Sequence, residues 1–145
     1  MLSQVLTSTE FPAELEFLGE IMRFLRGGLK AAHLSSSREF KFELACEEAI
    51  VNIIRHAYPP GEPGRVLINC RIKREGVEVE LVDGGRPFNP IEHELQPPLT
   101  APIEERPIGG LGIFLIQQFA DEVIYTRRCG LNRLQIRIYA KEGSL

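Results

Sequence analysis

No run in this chain approaches the roughly 20 apolar residues that a membrane-crossing helix needs, so no membrane association is expected. Its opening residues, M-L-S-Q-V-L-T-S-T-E, carry neither a basic start nor a long apolar core, and no secretory signal is expected. Cysteine is scarce. Cys46, Cys70 and Cys129 are scattered through apolar patterns and are expected as buried, reduced thiols, which makes the cytoplasm the simplest location. Charge of one sign is also lacking. A net charge of -3 gives no ground for direct binding to nucleic acid through its phosphates. There is no internal repeat and no composition shift that would mark a second domain. A length of 145 residues with 43% hydrophobic and 26% charged side chains suits one domain, 1–145, around one core.

Proline and glycine are present but uneven. Six of the ten prolines (87, 90, 97, 98, 102 and 107) fall within residues 86–108, which show no periodicity. An irregular stretch of that length inside a compact domain is usually functional or disordered. The rest of the chain is patterned. Residues 3–8 read as a short edge strand, and Thr9 as the cap of a helix starting near Pro12. Leu15, Leu18, Ile21, Met22, Leu25 and Leu29 follow at helical spacing, with Gly27-Gly28 weakening the end. Ser35, Ser36 and Ser37 offer the N-cap of a second helix, which runs to about Tyr58 and is stopped by Pro59, Pro60 and Gly61.

The period then becomes two. Val66, Ile68, Cys70 and Ile72, then Val77, Val79 and Leu81 after a turn at Arg74-Glu75-Gly76, predict an antiparallel hairpin with one core face and one charged face. Arg71 and Lys73 are expected across from Glu78 and Glu80 as exposed pairs of ~0.2–1 kcal/mol each. A glycine cluster leads into the helix I-F-L-I-Q-Q-F-A, and strands Val123–Arg128 and Leu131–Ala140 meet at Cys129-Gly130. The order β-α-α-β-β-loop-α-β-β predicts an α+β two-layer sandwich, a mixed and mostly antiparallel sheet with helices on one face.

Three places carry polar groups where the pattern is apolar. Glu48, Asn52 and His56 recur at intervals of four, which sets them on one stripe of the second helix. Burying a carboxylate, an amide and an imidazole is costly without a polar partner. Asn52 offers a neutral oxygen suited to a hard cation such as magnesium, and Glu48 can accept a proton from an attacking hydroxyl or water. His56 either joins them or serves the helix C-terminus, where a histidine bonds carbonyls and suits the dipole. Glu47 lies about 100° away on the helical wheel and is expected in solvent.

The second place is Asp83, which continues the series Val77, Val79 and Leu81 and so points to the core side. Either it accepts from the amino group of a bound base or it caps the Asp-Gly-Gly turn. Gly84 and Gly85 leave room for a flat ligand, and Phe88 packs near that ligand or anchors the loop. The third place is Gly109-Gly110-Leu111-Gly112. Glycines at a helix start bare backbone N–H groups where the dipole is positive, a ready site for phosphate, although glycines also make ordinary turns.

In this order the pieces resemble the ATP-binding superfamily of gyrase, Hsp90, histidine kinases and MutL (GHKL, the Bergerat fold). Glu48 to Asn52 matches its E-x-x-x-N box. Asp83, Gly85 and Phe88 match D-x-G-x-x-F, Gly109 to Gly112 the second glycine box, and residues 86–108 the ATP lid. Within the superfamily, A-C-E-E-A-I-V-N-I-I-R-H-A-Y and G-G-L-G-I-F-L-I-Q-Q-F-A-D-E-V are similar to the anti-sigma-factor serine/threonine kinases. The resemblance covers nearly the whole chain.

The resemblance implies ATP and ADP as ligands, with Mg2+ held by Asn52 between the phosphates. It also implies a hydrogen bond from adenine to Asp83, room for phosphates at Gly109, Gly110 and Gly112, and Glu48 as catalytic base. The implied partners are a small anti-sigma-factor antagonist protein, which receives phosphate on a serine or threonine, an RNA polymerase sigma factor, and a second copy in a homodimer. Adenine pockets of this family often include a Ser or Thr late in the chain, for which Thr126 is the candidate. Arg106 either reaches a phosphate or faces solvent. Pro107-Ile108 depart from the pattern, since histidine kinases usually carry another glycine there. Two other functions compete: a nucleotide-gated binding module without kinase activity, and a histidine-kinase-type catalytic domain. The second is disfavoured because no helical phosphoacceptor hairpin precedes the domain.

Overall fold

A computed structural model describes residues 4–90 and 110–140. Five strands, β1 (Val5–Pro12), β2 (Arg65–Lys73), β3 (Gly76–Asp83), β4 (Glu122–Arg128) and β5 (Leu131–Tyr139), form one sheet in the order β1-β2-β3-β5-β4. Every neighbouring pair is antiparallel, so the sheet is not mixed. The helices are α1 (Leu18–Lys30), α2 (Ser36–His56) and α3 (Gly110–Phe119). The sheet residues of the hydrophobic core alternate: Val66, Ile68 and Cys70 on β2, Val77, Val79 and Leu81 on β3, Leu134, Ile136 and Ile138 on β5. Alternation places them on one face, where they meet Ile21, Leu25 and Leu29 of α1, Phe42, Cys46 and Ile50 of α2, and Ile116 of α3. The architecture is therefore the two-layer α+β sandwich that the pattern predicts.

The N-terminal region differs from the expectation. β1 continues to Pro12, and Thr9 pairs with Ile68 instead of capping a helix. Val5, Thr7, Thr9 and Phe11 alternate and suit a strand, Phe11 packs edge-on against Phe24 at 5.8 Å, and proline is tolerated at the end of an edge strand. α1 begins only at Leu18, after a short 3-10 turn that leaves Leu15 exposed. It runs through Gly27-Gly28 to Lys30. A Cβ on Gly28 would stand 3.1 Å from the Cys70 sulfur, so this glycine allows close approach of α1 to the sheet. The cap of α2 is as expected: the Ser35 side chain accepts from the Arg38 N–H at 3.2 Å.

The charged face of the hairpin is a second correction. Glu78 and Glu80 are buried, at 4% and 5% exposure, because β3 is the central strand and long arginine stems from both neighbours lie over it. Glu78 accepts from Arg71 and from Arg137, each at 2.9 Å. Glu80 accepts from Asn69 at 2.8 Å and from Arg133 at 3.4 Å. Lys73 pairs in register with Gly76, not with Glu80. Cys46 and Cys70 are buried free thiols, as expected, but Cys129 is exposed. It occupies the β4–β5 turn with φ 53°, followed by Gly130 at 78°, a left-handed pair suited to a two-residue hairpin loop.

Candidate functional site

One end of the site is on α2. Its helical spacing sets Glu48 and Asn52 on one stripe, with Glu48 against α3 and Asn52 lining a pocket. Asn52 is 6% exposed, and its Nδ2 is buried without a hydrogen-bond partner among the described residues. An unsatisfied buried donor costs roughly 1–3 kcal/mol, and its presence argues for a ligand. A half-turn of the amide presents Oδ1 at the same place, so the position serves either a phosphate oxygen or a cation. The donor set thus fits magnesium held beside phosphate. Glu48, one turn earlier, is half-buried. Burial pushes its carboxyl above the ordinary value and the neighbouring Glu47 pushes it further, while Arg55 pulls it back. A raised carboxyl is a better proton acceptor once ionised. Glu47 is itself half-buried rather than fully solvated.

α3 begins against this carboxylate. A Cβ on Gly112 would lie 2.6 Å from Glu48 Oε1, so the glycine gives Glu48 its space. Gly110 opens the ten-residue helix. Gly109, Arg106, the side chain of Leu111 and the lid beyond Pro90 lie outside the described residues.

The other end is the turn after β3. Asp83 is 5% exposed, and its Oδ1 accepts from Gly85 N at 2.9 Å and from Asn132 Nδ2 at 3.0 Å. Asp83 therefore caps its turn, through one oxygen only among the described residues, and it also lines a pocket. Gly85 lets that turn touch α2. A Cβ there would stand 2.2 Å from the Ala57 carbonyl oxygen, which accepts from Arg86 N at 2.8 Å. The Tyr58 hydroxyl accepts from Gly84 N at 2.9 Å and donates to Arg65 O at 2.6 Å, so the turn is tied to both α2 and β2.

The pocket joins the two ends. Asn52, Asp83 and Phe88 line it together with Ala49, Ile53, Ala57, Pro90, Tyr125, Asn132 and Leu134. Its apolar walls suit a flat ring and its few polar groups suit recognition. His56 is not among the lining residues. Its ring lies 6.0 Å from that of Phe88, and its carbonyl accepts from Arg86 Nε at 2.7 Å. Burial, then the charges of Arg86 and Arg55, lower its pKa. Its ring thus stands beside Phe88 at the C-terminal end of α2.

Thr126 is a correction. It pairs with Arg133 on the sheet face away from the helices and is exposed. Its neighbour Tyr125 turns inward instead. Asn132 is the residue that sequence reasoning missed. It pairs with Asp83 across β3–β5 and with Arg127 across β5–β4, so the three form one row on the helix side of the sheet. The signal was available: Asn132 precedes Leu134, Ile136 and Ile138 in the same alternation that placed Asp83 inward.

A family model described as histidine kinase-like ATPase domain matches residues 11–138. The chain is 32% identical over 110 residues to the serine/threonine-protein kinase BtrW of Bordetella bronchiseptica, covering 76% of this chain and 77% of that protein. It is 29% identical over 134 residues to the serine-protein kinase RsbW of Oceanobacillus iheyensis, covering 90% and 85%. Among solved structures, one of the RsbU and RsbW domains of a Mycobacterium tuberculosis protein superposes with a TM-score of 0.65 at 12% identity, over 92% of this chain and 32% of that one, a likeness of fold.

Proposed function

The chain belongs to the histidine kinase-like ATPase domain family, and on that premise we propose that it is an anti-sigma serine/threonine kinase forming a single domain over residues 1–145. It binds ATP and phosphorylates a small antagonist protein on a serine or threonine. When that antagonist is unavailable, it sequesters an RNA polymerase sigma factor. The observation that carries the reading is the shared pocket: Asn52, with an orphaned amide, and Asp83, with one oxygen uncommitted to its turn, line the same cavity. The curated relatives named as protein kinases support the activity.

In this mechanism Asp83 receives the adenine amino group, with Phe88 beside the base and Gly85 holding the turn. Asn52 would hold the magnesium, which when bound would supply neutralisation of phosphate charge. Gly109, Gly110, Leu111 and Gly112 would offer backbone N–H groups to the phosphates, as helix starts do. Glu48 takes the proton of the substrate hydroxyl, the freed oxygen bonds to the γ-phosphorus, and the bond to ADP breaks. Residues 86–108 act as the lid. The protein works in the cytoplasm, as a homodimer, without direct contact to nucleic acid or membrane. No helix among the described residues is long and apolar enough to cross a bilayer.

The test is transfer of labelled phosphate from ATP to a co-encoded antagonist. Wild type is expected to label it, and Glu48→Ala to lose transfer while still binding ATP. If wild type binds ATP but labels no cognate partner, the kinase assignment falls and a nucleotide-gated binding module takes its place.

A further inference from the structure

We infer that Asn132, oriented by Tyr125 and Arg127, is a positioning residue that fixes which oxygen of Asp83 faces the ligand, and so makes the pocket select a 6-amino purine over a 6-keto purine. The inference rests on the nucleotide reading above and deepens it.

The amide of Asn132 has only one workable orientation. Its Oδ1 accepts from the Tyr125 hydroxyl at 2.5 Å and from Arg127 Nη1 at 3.0 Å. A guanidinium can only donate, so rotating the amide would set donor against donor on that side. On the other side Nδ2 donates to Asp83 Oδ1 at 3.0 Å and to Arg86 O at 2.8 Å. Both are acceptors, so rotation would set acceptor against acceptor there. Arg127 is itself anchored, since Nη1 also donates to Gly85 O at 3.0 Å. The group is buried at its centre, with Asn132 at 4% and Asp83 at 5% exposure, where a mispaired polar atom is costly.

The consequence falls on Asp83. Gly85 N and Asn132 Nδ2 both bond Oδ1. Neither bonds Oδ2, which is the oxygen left to meet a ligand in the pocket. That oxygen accepts from an exocyclic amino group. A keto oxygen in the same place would bring two acceptors together, and sites built around a specific hydrogen bond reject analogues that cannot make it. Tyr125 and Asn132 belong to different strands, so the register of β4 on β5 enters the specificity.

Inosine triphosphate is the suitable probe, because it carries a keto oxygen in place of the 6-amino group of ATP, with the accompanying change of N1 from acceptor to N1–H donor. Equilibrium binding of ATP and inosine triphosphate to the full chain gives the ratio of interest. Wild type is expected to favour ATP at least tenfold. Asn132→Leu should bring the ratio close to one by weakening ATP alone. Tyr125→Phe, which removes one hydroxyl and keeps the ring, should lower it several-fold without threatening the fold. A ratio unchanged in Tyr125→Phe and in folded Asn132→Leu would overturn the inference and leave these residues a purely structural role. Equal binding of the two nucleotides by wild type would overturn it as well, while leaving nucleotide binding intact. Failure of wild type to bind either would remove the nucleotide reading itself.

Discussion

Two glycines of the site are constrained by different neighbours, and the difference predicts opposite phenotypes. A Cβ at Gly85 would meet a backbone carbonyl, that of Ala57, at 2.2 Å. A backbone carbonyl held by Arg86 N cannot yield, so Gly85→Ala should cost about 1–3 kcal/mol as overpacking and lose ATP binding as the Asp83 turn moves. A Cβ at Gly112 would meet the tip of Glu48 at 2.6 Å. A side-chain tip can swing away, so Gly112→Ala should keep its midpoint in urea and its ATP affinity but lose most phosphate transfer. Urea titration with calorimetry separates the two; equal loss of stability in both would contradict this account. These neighbours were not legible in the sequence, which shows a glycine but not the atom opposite it. Glu48, Asn52 and Asp83 were legible, because period four and period two each fix a face. Thr126 was misplaced because residue type was followed there and alternation was not, although the same alternation that serves Asp83 points to Tyr125 and Asn132.

At the level of elements, order, hairpins and the serine cap of α2 follow from the pattern, whereas the expected Thr9 cap and the expected exposure of the outer sheet face do not hold. Alternating Glu and Arg on an amphipathic hairpin look solvated until β3 is known to be central, with arginines of β2 and β5 reaching over it. The distinction has a measurable result. Burial raises the pKa of Glu78, but the hydrogen bond from Arg137 and the charges of Arg137, Lys73 and Arg71 outweigh it, so the carboxyl titrates below its ordinary value of 4.5. A depressed folded pKa means that the unfolded chain takes up the proton first as pH falls. The contribution of Glu78 is therefore complete above about 4.5 and lost as pH drops through the lower folded value. Urea midpoints of wild type should fall across that acidic window. Glu78→Gln should flatten the fall and, at neutral pH, cost about 1.5–3 kcal/mol, the range for hydrogen bonds to charged groups. A wild-type profile with no acidic decline, or one unchanged by the substitution, would show these pairs to be energetically idle.

Across the whole molecule, the candidate site draws Glu48 and Asn52 from α2, Asp83 from β3, Gly112 from α3 and Asn132 from β5. A ligand that touches all of them binds only the folded chain, because no local segment brings these residues together. Linkage then requires nucleotide to raise stability, by about 2.7 kcal/mol at one hundred times Kd. For a domain of this size that amounts to roughly 5–10 °C in melting temperature, at 2–4 °C per kcal/mol. Asn52→Ala isolates the phosphate end of this effect. Without nucleotide its melting temperature should stay near wild type, since the substitution leaves a small cavity but removes a buried donor that has no partner, and the two effects oppose each other. With ATP and magnesium, wild type should show the full shift and Asn52→Ala little or none. Chelating the magnesium from wild type should reproduce the variant if Asn52 acts on the phosphates through the metal as proposed. Thermal melts of both proteins, with and without ATP, magnesium and chelator, decide the matter. A shift in Asn52→Ala as large as in wild type would mean that the orphaned amide faces something other than the nucleotide.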